Sequence, residues 1–330
     1  MNLQTKKLLF LEKIFLATFM KRKIYTSGET VFDIIFKNSR PQGGNPGGSV
    51  LNSAVSLGRL GLAPVFLSDF CNDMIGEVIK NFLKENGVKP KQVIADSCLQ
   101  TSVALAFLDA DNNAKYEFYK SRPKFSDTQL FTADFHEDDI YLFGSYYGIM
   151  PEIRDGICNM ISQAKANNAI VVYDPNFRRP HLKDLPHVLP FIIDNFEKAD
   201  IIKGSHEDFE LIFNTDSQEE TFYKLMRINP NAHLFYTKGK NGCSYCFKGE
   251  IQEFVAPKIV PISTIGAGDN FNAGIVYGVV KHNLTKSALS GKIEKDVIKD
   301  IVEVATKFAQ FACMSNDNYI SQEFANSYKI

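Results

Sequence analysis

Length, composition and charge already exclude several classes of protein. The 330 residues are enough for one large α/β domain or two smaller ones, and 45% hydrophobic with 23% charged residues is ordinary for a soluble globular protein. The 37 basic and 38 acidic side chains leave a net charge of −1, which argues against a nucleic-acid binder or a polybasic membrane-surface protein and favours a small neutral or acidic ligand.

The N-terminal stretch KKLLFLEKIFLATFM superficially resembles a signal peptide, because basic residues precede an apolar run. Charged residues interrupt this run, no clear small-x-small cleavage site follows, and the run is too short to span a bilayer. Met20 offers a second start, and the first strand pattern begins at Lys23. We therefore expect residues 1–19 to be an appendage outside the fold, residues 20–330 to form the folded domain, and the protein to be cytoplasmic.

Strand and helix patterns then follow along the chain. Residues 23–37 are typical of a strand pair or one long bent strand, and the glycines of residues 43–48 lead into a helix that extends to about residue 61. From about residue 60, near-continuous hydrophobic strands alternate with amphipathic helices, which indicates a parallel sheet covered on both faces. The strands are predicted at residues 63–70, 138–145, 169–176, 199–205 and 232–239, and the intervening helices at 74–88, 151–167 and 206–213. Residues 102–120 fit a hairpin outside this alternation and indicate a small accessory sheet.

The six cysteines are spread thinly over the chain, as is usual for reduced thiols in a cytosolic protein. Cys243 and Cys246 form a lone C-x-x-C with no second pair and no well-spaced histidines. We favour two thiols within a strand over a metal or redox site.

Polar residues directly after the predicted strands attract a functional interpretation, because doubly wound folds bind ligands beyond the carboxyl ends of their strands. These residues are Asp174, Asn176, Ser205, Lys238 and Asp269.

The stretch STIGAGDNFNAG places Asp269 between a glycine turn and a helical run. The glycines let a ligand approach the backbone, and the helix start offers unpaired N–H groups to an anion. Asp269 could take a proton from a hydroxyl bound there, or it could simply cap the helix. The chain has no Walker A motif, and the third glycine of a dinucleotide fingerprint is missing, so an oxidoreductase is weakly supported.

A second constellation lies earlier in the chain. Gly47 and Gly48 precede a helix of small residues, whose close packing explains the glycines and alanines but not the polar Asn52. Asp33 lies among apolar strand residues, where a carboxylate must be exposed or partnered. Sugar hydroxyls are natural partners, because an ionised carboxylate accepts two directed hydrogen bonds.

Together these residues resemble the two signatures of the ribokinase-like (PfkB) sugar kinases. The resemblance continues over most of residues 23–315, through GETVFD, QTSVALAFLD, YDPNFR, IIKGSHED and YTKGKNG. It implies an α/β fold, a three-layer α/β/α sandwich with a mostly parallel central sheet. It also implies a small β lid from segments around residues 30–45 and 100–122. The implied activity is transfer of the ATP γ-phosphoryl group to a sugar hydroxymethyl.

The resemblance also implies roles for individual residues. Asp269 would be the base, and the anion hole would consist of the amides of Gly266, Ala267 and Gly268. The sugar would contact Asp33, Gly47, Gly48, Asn52, Tyr119, Lys120 and Arg178. The nucleotide would contact Lys203, Ser205, Thr237, Lys238, Gly239, Gly242 and Asn316. Mg²⁺ would be held through water by Asp208 and Glu207.

Two departures from the family pattern are visible. Ser263 replaces an aspartate that helps some members bind a monovalent cation, which argues against potassium activation. The Asn-x-x-Glu motif that organises Mg²⁺ is replaced by the run from Ser205 to Asp208, in which Asp208 has a shorter side chain and Glu207 could substitute.

The opening Gly28-Glu29, the DPNFR run and an aromatic lid favour a fructokinase-like hexose kinase. The alternatives within the class are 2-keto-3-deoxygluconate kinase and ribokinase, and a non-catalytic sugar-binding sensor is the alternative outside it. The expected partners are a sugar and ATP, with no nucleic acid and no membrane. The lid strands either pair between subunits of a homodimer or have their edges covered within one chain.

Overall fold

The computed structural model describes residues 22–93, 100–108, 114–119 and 131–329. Within these ranges the strands form one nine-stranded sheet and one separate four-stranded sheet. The predicted appendage at residues 1–19, the tip of the predicted hairpin and Lys120 lie outside the described residues.

The strands of the nine-stranded sheet are β1 Ile24–Ser27, β4 Val65–Ser68, β5 Lys89–Gln92, β8 Ile140–Gly144, β9 Ile170–Asp174, β10 Ile201–Ser205, β11 His233–Thr237, β12 Cys243–Phe247 and β13 Glu250–Phe254. Their order in the sheet is β13-β12-β11-β10-β9-β8-β1-β4-β5. Every pair from β11 to β5 is parallel, and β12 and β13 add an antiparallel edge, so the expected mostly parallel sheet is confirmed.

Helices cover both faces of this sheet, because strand side chains alternate between two hydrophobic cores. One core contains Leu142 and Val172, and the other contains Tyr141 and Val171 from the same strands. The α-helices are α1 Ser49–Arg59, α2 Met74–Glu85, α3 Arg154–Ala166, α4 Leu185–Lys198, α5 His206–Phe213, α6 Gln218–Ile228, α7 Ala267–Lys281, α8 Lys286–Leu289, α9 Lys295–Cys313 and α10 Gln322–Asn326. The first core is packed by α1, α2, α7 and α9, and the second by α3, α4, α5 and α6. The architecture is therefore the expected three-layer sandwich.

The four-stranded sheet contains β2 Val31–Lys37, β3 Arg40–Gly47, β6 Val103–Leu108 and β7 Ala114–Tyr119, in the order β3-β2-β6-β7. Strands β6 and β7 are antiparallel, as the hairpin pattern predicts. Residues 23–37 are divided between the two sheets, with β1 in the large sheet and β2 in the small one. The resemblance places a β-lid segment at about residues 30–45, and in the structure β3 extends this segment to Gly47 by pairing with β2.

The strand order reverses between β1 and β8, since the chain proceeds from β1 to β4 and β5 on one side and from β8 to β11 on the other. A crevice forms beyond the carboxyl ends of two strands that diverge in this way, and it is the usual ligand site of open α/β sheets. Strand β2 begins four residues after the end of β1, so the small sheet starts at this crevice. We call the small sheet the lid.

Two further expectations concern membranes and thiols. In the described ranges, no helix has both the length and the apolar character that a membrane span requires. Cys243 and Cys246 are free, buried thiols that belong to opposite hydrophobic cores, so their side chains lie on opposite faces of the sheet. They cannot bind one metal ion together.

Candidate active site

The carboxylate of Asp269 points from the first turn of α7 towards α1. It accepts hydrogen bonds from Ser49 Oγ at 2.7 Å and from Asn52 Nδ2 at 2.8 Å. The N-cap of α7 is Gly266, and no side chain caps this helix. The helix-cap interpretation of Asp269 is therefore wrong, because its carboxylate is engaged by another helix.

The Asp269 carboxylate is almost completely buried. Burial raises its pKa, although the hydrogen bonds from Ser49 and Asn52 and the positive charge of Lys203 oppose this shift. A carboxylate with a raised pKa accepts a proton more readily than an exposed aspartate does. This is the property that a general base requires.

A buried ion pair lies behind the first turn of α7. Lys203 Nζ is 2.8 Å from Asp174 Oδ2, and both side chains are 2% exposed. Asn272 Nδ2 donates a second hydrogen bond to the same carboxylate oxygen at 2.6 Å. A Cβ added to Gly268 would lie 2.9 Å from Lys203 Nζ, so the ammonium group contacts the turn directly. Burial lowers the pKa of Lys203, but Asp174 and Asp208 outweigh this effect and raise it.

The turn itself has the geometry of an anion site. Gly266 adopts a left-handed conformation with φ of 77°, and a Cβ there would lie 2.5 Å from the carbonyl oxygen of Asn318. The N–H groups of the first turn of a helix have no carbonyl partner within the helix. With the ammonium of Lys203 beside them, these amides favour negative charge.

Asp208 lies in the first turn of α5, and it is buried. Its Oδ2 accepts hydrogen bonds from the backbone N–H and the hydroxyl of Ser205, each at 2.7 Å. Its Oδ1 is buried and has no hydrogen-bond partner in the part of the chain that the structure describes. Burial and then the charge of Asp174 raise the pKa of Asp208. An unpartnered buried carboxylate oxygen is suited to a hard cation.

A cavity of about 410 Å³ adjoins the start of α5. It is lined by Phe177, Arg178, Arg179, His206, Glu207, Glu210 and Leu211. Arg178 and Glu207 are both exposed here. The arginine predicted for the substrate and the glutamate predicted for the metal therefore share one cavity.

The sugar-binding candidates lie at the junction of the lid and α1. A Cβ on Gly47 would lie 2.3 Å from Asp33 Oδ2, so the Asp33 carboxylate packs directly on that glycine. Gly48 has φ of 139° and approaches the carbonyl oxygen of Glu29 so closely that a Cβ would lie 2.3 Å from it. Gly48 is the N-cap of α1, which carries Asn52 one turn later. Gly47, on which Asp33 packs, is therefore followed directly by α1, the helix whose Ser49 and Asn52 bind Asp269.

Burial, and then the negative charge of Glu29, raises the pKa of Asp33 to about 6. Tyr119 lies at the end of β7 with 61% of its surface exposed.

Three further nucleotide candidates, Thr237, Lys238 and Gly242, contact residues of β10 and β13. Thr237 Oγ1 donates to the carbonyl of Gly204 at 3.4 Å. Lys238 forms an ion pair with Glu253 on β13. Gly242 has φ of 97°, and a Cβ there would lie 1.9 Å from the Phe254 carbonyl oxygen, so no other residue fits.

Gly239 also has a positive φ, of 55°, with open space around its α-carbon. Asn316 is exposed on the loop after α9, and Asn318 of the same loop contacts Gly266. That contact places the loop beside the first turn of α7.

Three residues of the site were not chosen as site candidates from the sequence. Ser49 was counted only as a small packing residue, and Asn272 was not singled out. Ser145 directly follows β8 with φ of 55° and ψ of −169°, a conformation rarely adopted by residues other than glycine. Its buried hydroxyl has no hydrogen-bond partner among the described residues. Its position after a strand, like that of Asp174, is the signal that could have identified it.

Comparison with known proteins agrees with this geometry. A family model described as pfkB family carbohydrate kinase matches residues 23–323. Fructokinase-1 of Zea mays is 29% identical over 246 residues, covering 72% of this chain and 74% of the relative. Probable fructokinase-4 of Arabidopsis thaliana is 28% identical over 244 residues, covering 71% and 73%.

Solved structures give the same fold. A double mutant of Vibrio cholerae fructokinase bound to fructose, ADP and a potassium ion superposes with a TM-score of 0.80 at 20% identity, covering 94% of this chain and 98% of that one. Aminoimidazole riboside kinase from Salmonella enterica has a TM-score of 0.78 at 18% identity, covering 93% and 99%. The ribokinase-like fold expected from the sequence is thereby confirmed.

The buried ion pair yields a stability prediction. Replacing Lys203 with methionine leaves Asp174 buried without its cation, so we expect the free energy of unfolding to fall by about 3–5 kcal/mol. Urea denaturation followed by circular dichroism measures the change. The double variant Lys203→Met/Asp174→Asn no longer contains the stranded charge and should recover most of the loss. Equal stability of the single and double variants would contradict the prediction.

Proposed function

The chain belongs to the pfkB family of carbohydrate kinases, and on that premise we propose that it transfers the γ-phosphoryl group of ATP to a hydroxymethyl group of fructose. The observation that carries the mechanism is the buried Asp269 carboxylate, held by Ser49 and Asn52 beside the first turn of α7. The choice of fructose is supported by the curated relatives, which are named fructokinases. A ketodeoxygluconate, ribose or non-catalytic function has no comparable support.

Asp269 acts as the general base in this proposal. The hydroxymethyl oxygen of the sugar forms a bond to the γ-phosphorus while the bond from that phosphorus to the ADP oxygen breaks. The hydroxyl proton passes to Asp269, whose raised pKa suits it to receive a proton. Ser49 and Asn52 hold the carboxylate in place, so that no reorganisation is needed when the hydroxyl arrives.

Negative charge on the transferring group is stabilised by the amides of Gly266, Ala267 and Gly268. Lys203 adds a full positive charge at Gly268, where its ammonium group contacts the turn. Positioning and electrostatic stabilisation dominate phosphoryl transfer, so this preorganised turn is the main contribution of the protein.

The nucleotide would be held by Lys203, Ser205, Thr237, Lys238, Gly239, Gly242 and Asn316. A divalent cation, Mg²⁺ in our proposal, would be held through water by Asp208, with Glu207 nearby. The unpartnered, buried Asp208 Oδ1 supports this assignment, because Mg²⁺ prefers oxygen ligands. When bound, such a cation neutralises phosphate charge. Ser263 replaces the aspartate that some members use, which argues against activation by a monovalent cation.

Asp33, Gly47, Gly48 and Asn52 would bind the sugar hydroxyls, with Arg178 and the lid residues Tyr119 and Lys120 closing the site. The glycines matter because the Asp33 carboxylate packs directly on Gly47. A side chain at Gly47 would fill the space that a hydroxyl needs.

The enzymatic prediction concerns Asp269. Offered ATP and Mg²⁺ with fructose, glucose, ribose and 2-keto-3-deoxygluconate in turn, the protein should form ADP fastest with fructose. Asp269→Asn keeps one acceptor oxygen towards α1, replaces the other with an NH₂ donor and cannot take the proton, so kcat should fall by about 10²–10⁴-fold. Coupled measurement of ADP gives both results.

Ser53→Ala is the matched control, because among the described residues the Ser53 hydroxyl donates only to the backbone carbonyls of Asp269 and Ser49. It should retain kcat within a few-fold. Near-normal turnover by Asp269→Asn would reject the base assignment. Preference for another sugar would reject fructose while leaving the base intact.

Asp33 yields a pH prediction. Since its pKa is raised to about 6, the carboxylate is ionised above that pH and becomes a neutral acid below it. An ionised carboxylate accepts two hydroxyl hydrogen bonds, so KM for the sugar should rise as the pH falls through about 6. KM measured between about pH 5 and 8 checks this. In Asp33→Asn the dependence should disappear; its persistence would assign the titration to another group.

We further propose that two copies of the chain pair through their lids. Ile34, Phe36, Leu105 and Phe107 lie on one face of the lid, in register across β2 and β6, and the rings of Phe36 and Phe107 stack at 5.0 Å. Asp33 lies on the opposite face. Phe107 is exposed and the other three side chains are half-buried, and a two-fold dimer would bring this apolar face against the same face of a second copy.

Sedimentation of the wild type should therefore give the mass of two chains, and Phe107→Lys should give one. Phe107 is 38% exposed, so the substitution should leave the monomer folded. A monomeric wild type would contradict this proposal without affecting the kinase assignment.

We also propose that the protein is cytoplasmic. All five cysteines within the described residues are free thiols, four of them buried. Free thiols of this kind are usual in a reducing compartment, which supports a cytoplasmic protein.

A further inference from the structure

The residue after the proposed base, Asn270, is fully buried and has its whole side-chain amide engaged. Its Nδ2 donates to the carbonyl oxygens of Gly266 and Asn318, both at 2.8 Å. Its Oδ1 accepts a hydrogen bond from Ser56 Oγ at 2.6 Å. The side chain therefore connects three separate parts of the chain.

Each of these parts has its own place in the site. Gly266 begins the turn whose amides would receive the phosphoryl group in the proposed function, and Asn318 belongs to the loop after α9. Ser56 belongs to α1, the helix that carries Ser49 and Asn52. The Ser56 hydroxyl also accepts the backbone N–H of Ile320 at 3.2 Å, which joins α1 to the same C-terminal loop.

The Asn270 amide joins the turn to the C-terminal loop. The Gly266 α-carbon lies so close to the Asn318 carbonyl that a Cβ would be 2.5 Å from its oxygen. A side-chain NH₂ group has two hydrogens and can serve both oxygens, whereas a hydroxyl has one. Without this side chain the Gly266 carbonyl still accepts the backbone N–H of Asn270 at 2.9 Å, but the hydrogen bond that joins the turn to Asn318 is lost.

We propose that Asn270 is a positioning residue that fixes the anion-binding turn of α7 against the C-terminal loop. The inference rests on the proposed function, because it assumes that the amides of Gly266, Ala267 and Gly268 receive the transferring phosphoryl group. Asn270 touches no reacting atom, and it acts through the Gly266 carbonyl and hence through the direction of the amides that follow.

Asn270→Ala is the direct test. It should lower kcat by about 10- to 100-fold, somewhat less than the about 10²–10³-fold cost of losing one oxyanion-hole donor outright. KM for the sugar should stay within about twofold, because Asp33 and Asn52 keep their positions. ADP release and thermal unfolding are measured on the same preparations.

Asn229→Ala is the matched control. The Asn229 amide also bridges backbone carbonyls, those of Phe196, Glu197 and Ala199, but it lies before β11 at the amino end of the sheet. This variant should lose thermal stability and keep kcat. If both variants keep kcat, the Asn270 side chain has only a structural role and the proposal is overturned.

Asn270→Ser covers the case in which the alanine variant does not fold. A helical serine can bond the carbonyl four residues earlier, so it can retain the Gly266 contact while losing the one to Asn318. A reduced kcat with an unchanged sugar KM supports the positioning role of Asn270, and a wild-type kcat overturns that role. A wild type that turns over none of the sugars would instead reject the proposed function.

Discussion

The site is organised around one buried ammonium group. Lys203 extends from β10 into the space behind the first turn of α7, where it pairs with Asp174 from β9 and contacts Gly268. The charges of Asp208 and Asp269 also raise its pKa. Adjacent parallel strands end at the same edge of a sheet, so their terminal residues can meet a helix start there. The fold therefore places the ammonium group of Lys203 at this edge of the sheet, close to the acidic residues of the site.

Much of this arrangement could be predicted from the sequence, for a physical reason. The alternation of hydrophobic strands and helices fixes a parallel sheet, and that sheet brings together the residues that follow its strands. Asp174 and Ser205 were identified by this position alone, whereas Asp269 lies in the first turn of α7 and was identified by the glycine turn before it and by the family resemblance. The residue pattern alone does not indicate β3, because its glycines and prolines have low β-propensity; the family resemblance placed most of it in the lid, and pairing with β2 makes it a strand. Here a tertiary contact overrides the local preference.

The partners of Asp269 could not be predicted in the same way. Ser49 and Asp269 are 220 positions apart, and Asn270 and Asn318 are 48 apart. No periodicity links residues at such separations. Their pairing depends on α1 and α7 packing side by side on one face of the sheet, which is a property of the assembled layers. Family resemblance identified the glycines and the acid, while the side chains that hold them became visible only in the folded chain.

The excess of buried acidic groups bears on the proposed role of Asp269 as the base. Asp174, Asp208 and Asp269 are buried around Lys203, so the acidic groups outnumber the ammonium. Burial of unbalanced negative charge raises the pKa values of Asp208 and Asp269. A cation beside Asp208 would relieve the excess and attract the phosphates, while Ser49 and Asn52 keep Asp269 ionised through their hydrogen bonds. In the proposed mechanism, transfer of the hydroxyl proton to Asp269 would remove negative charge from that carboxylate and place it on the reacting sugar and phosphoryl oxygens, which the helix amides and Lys203 would stabilise.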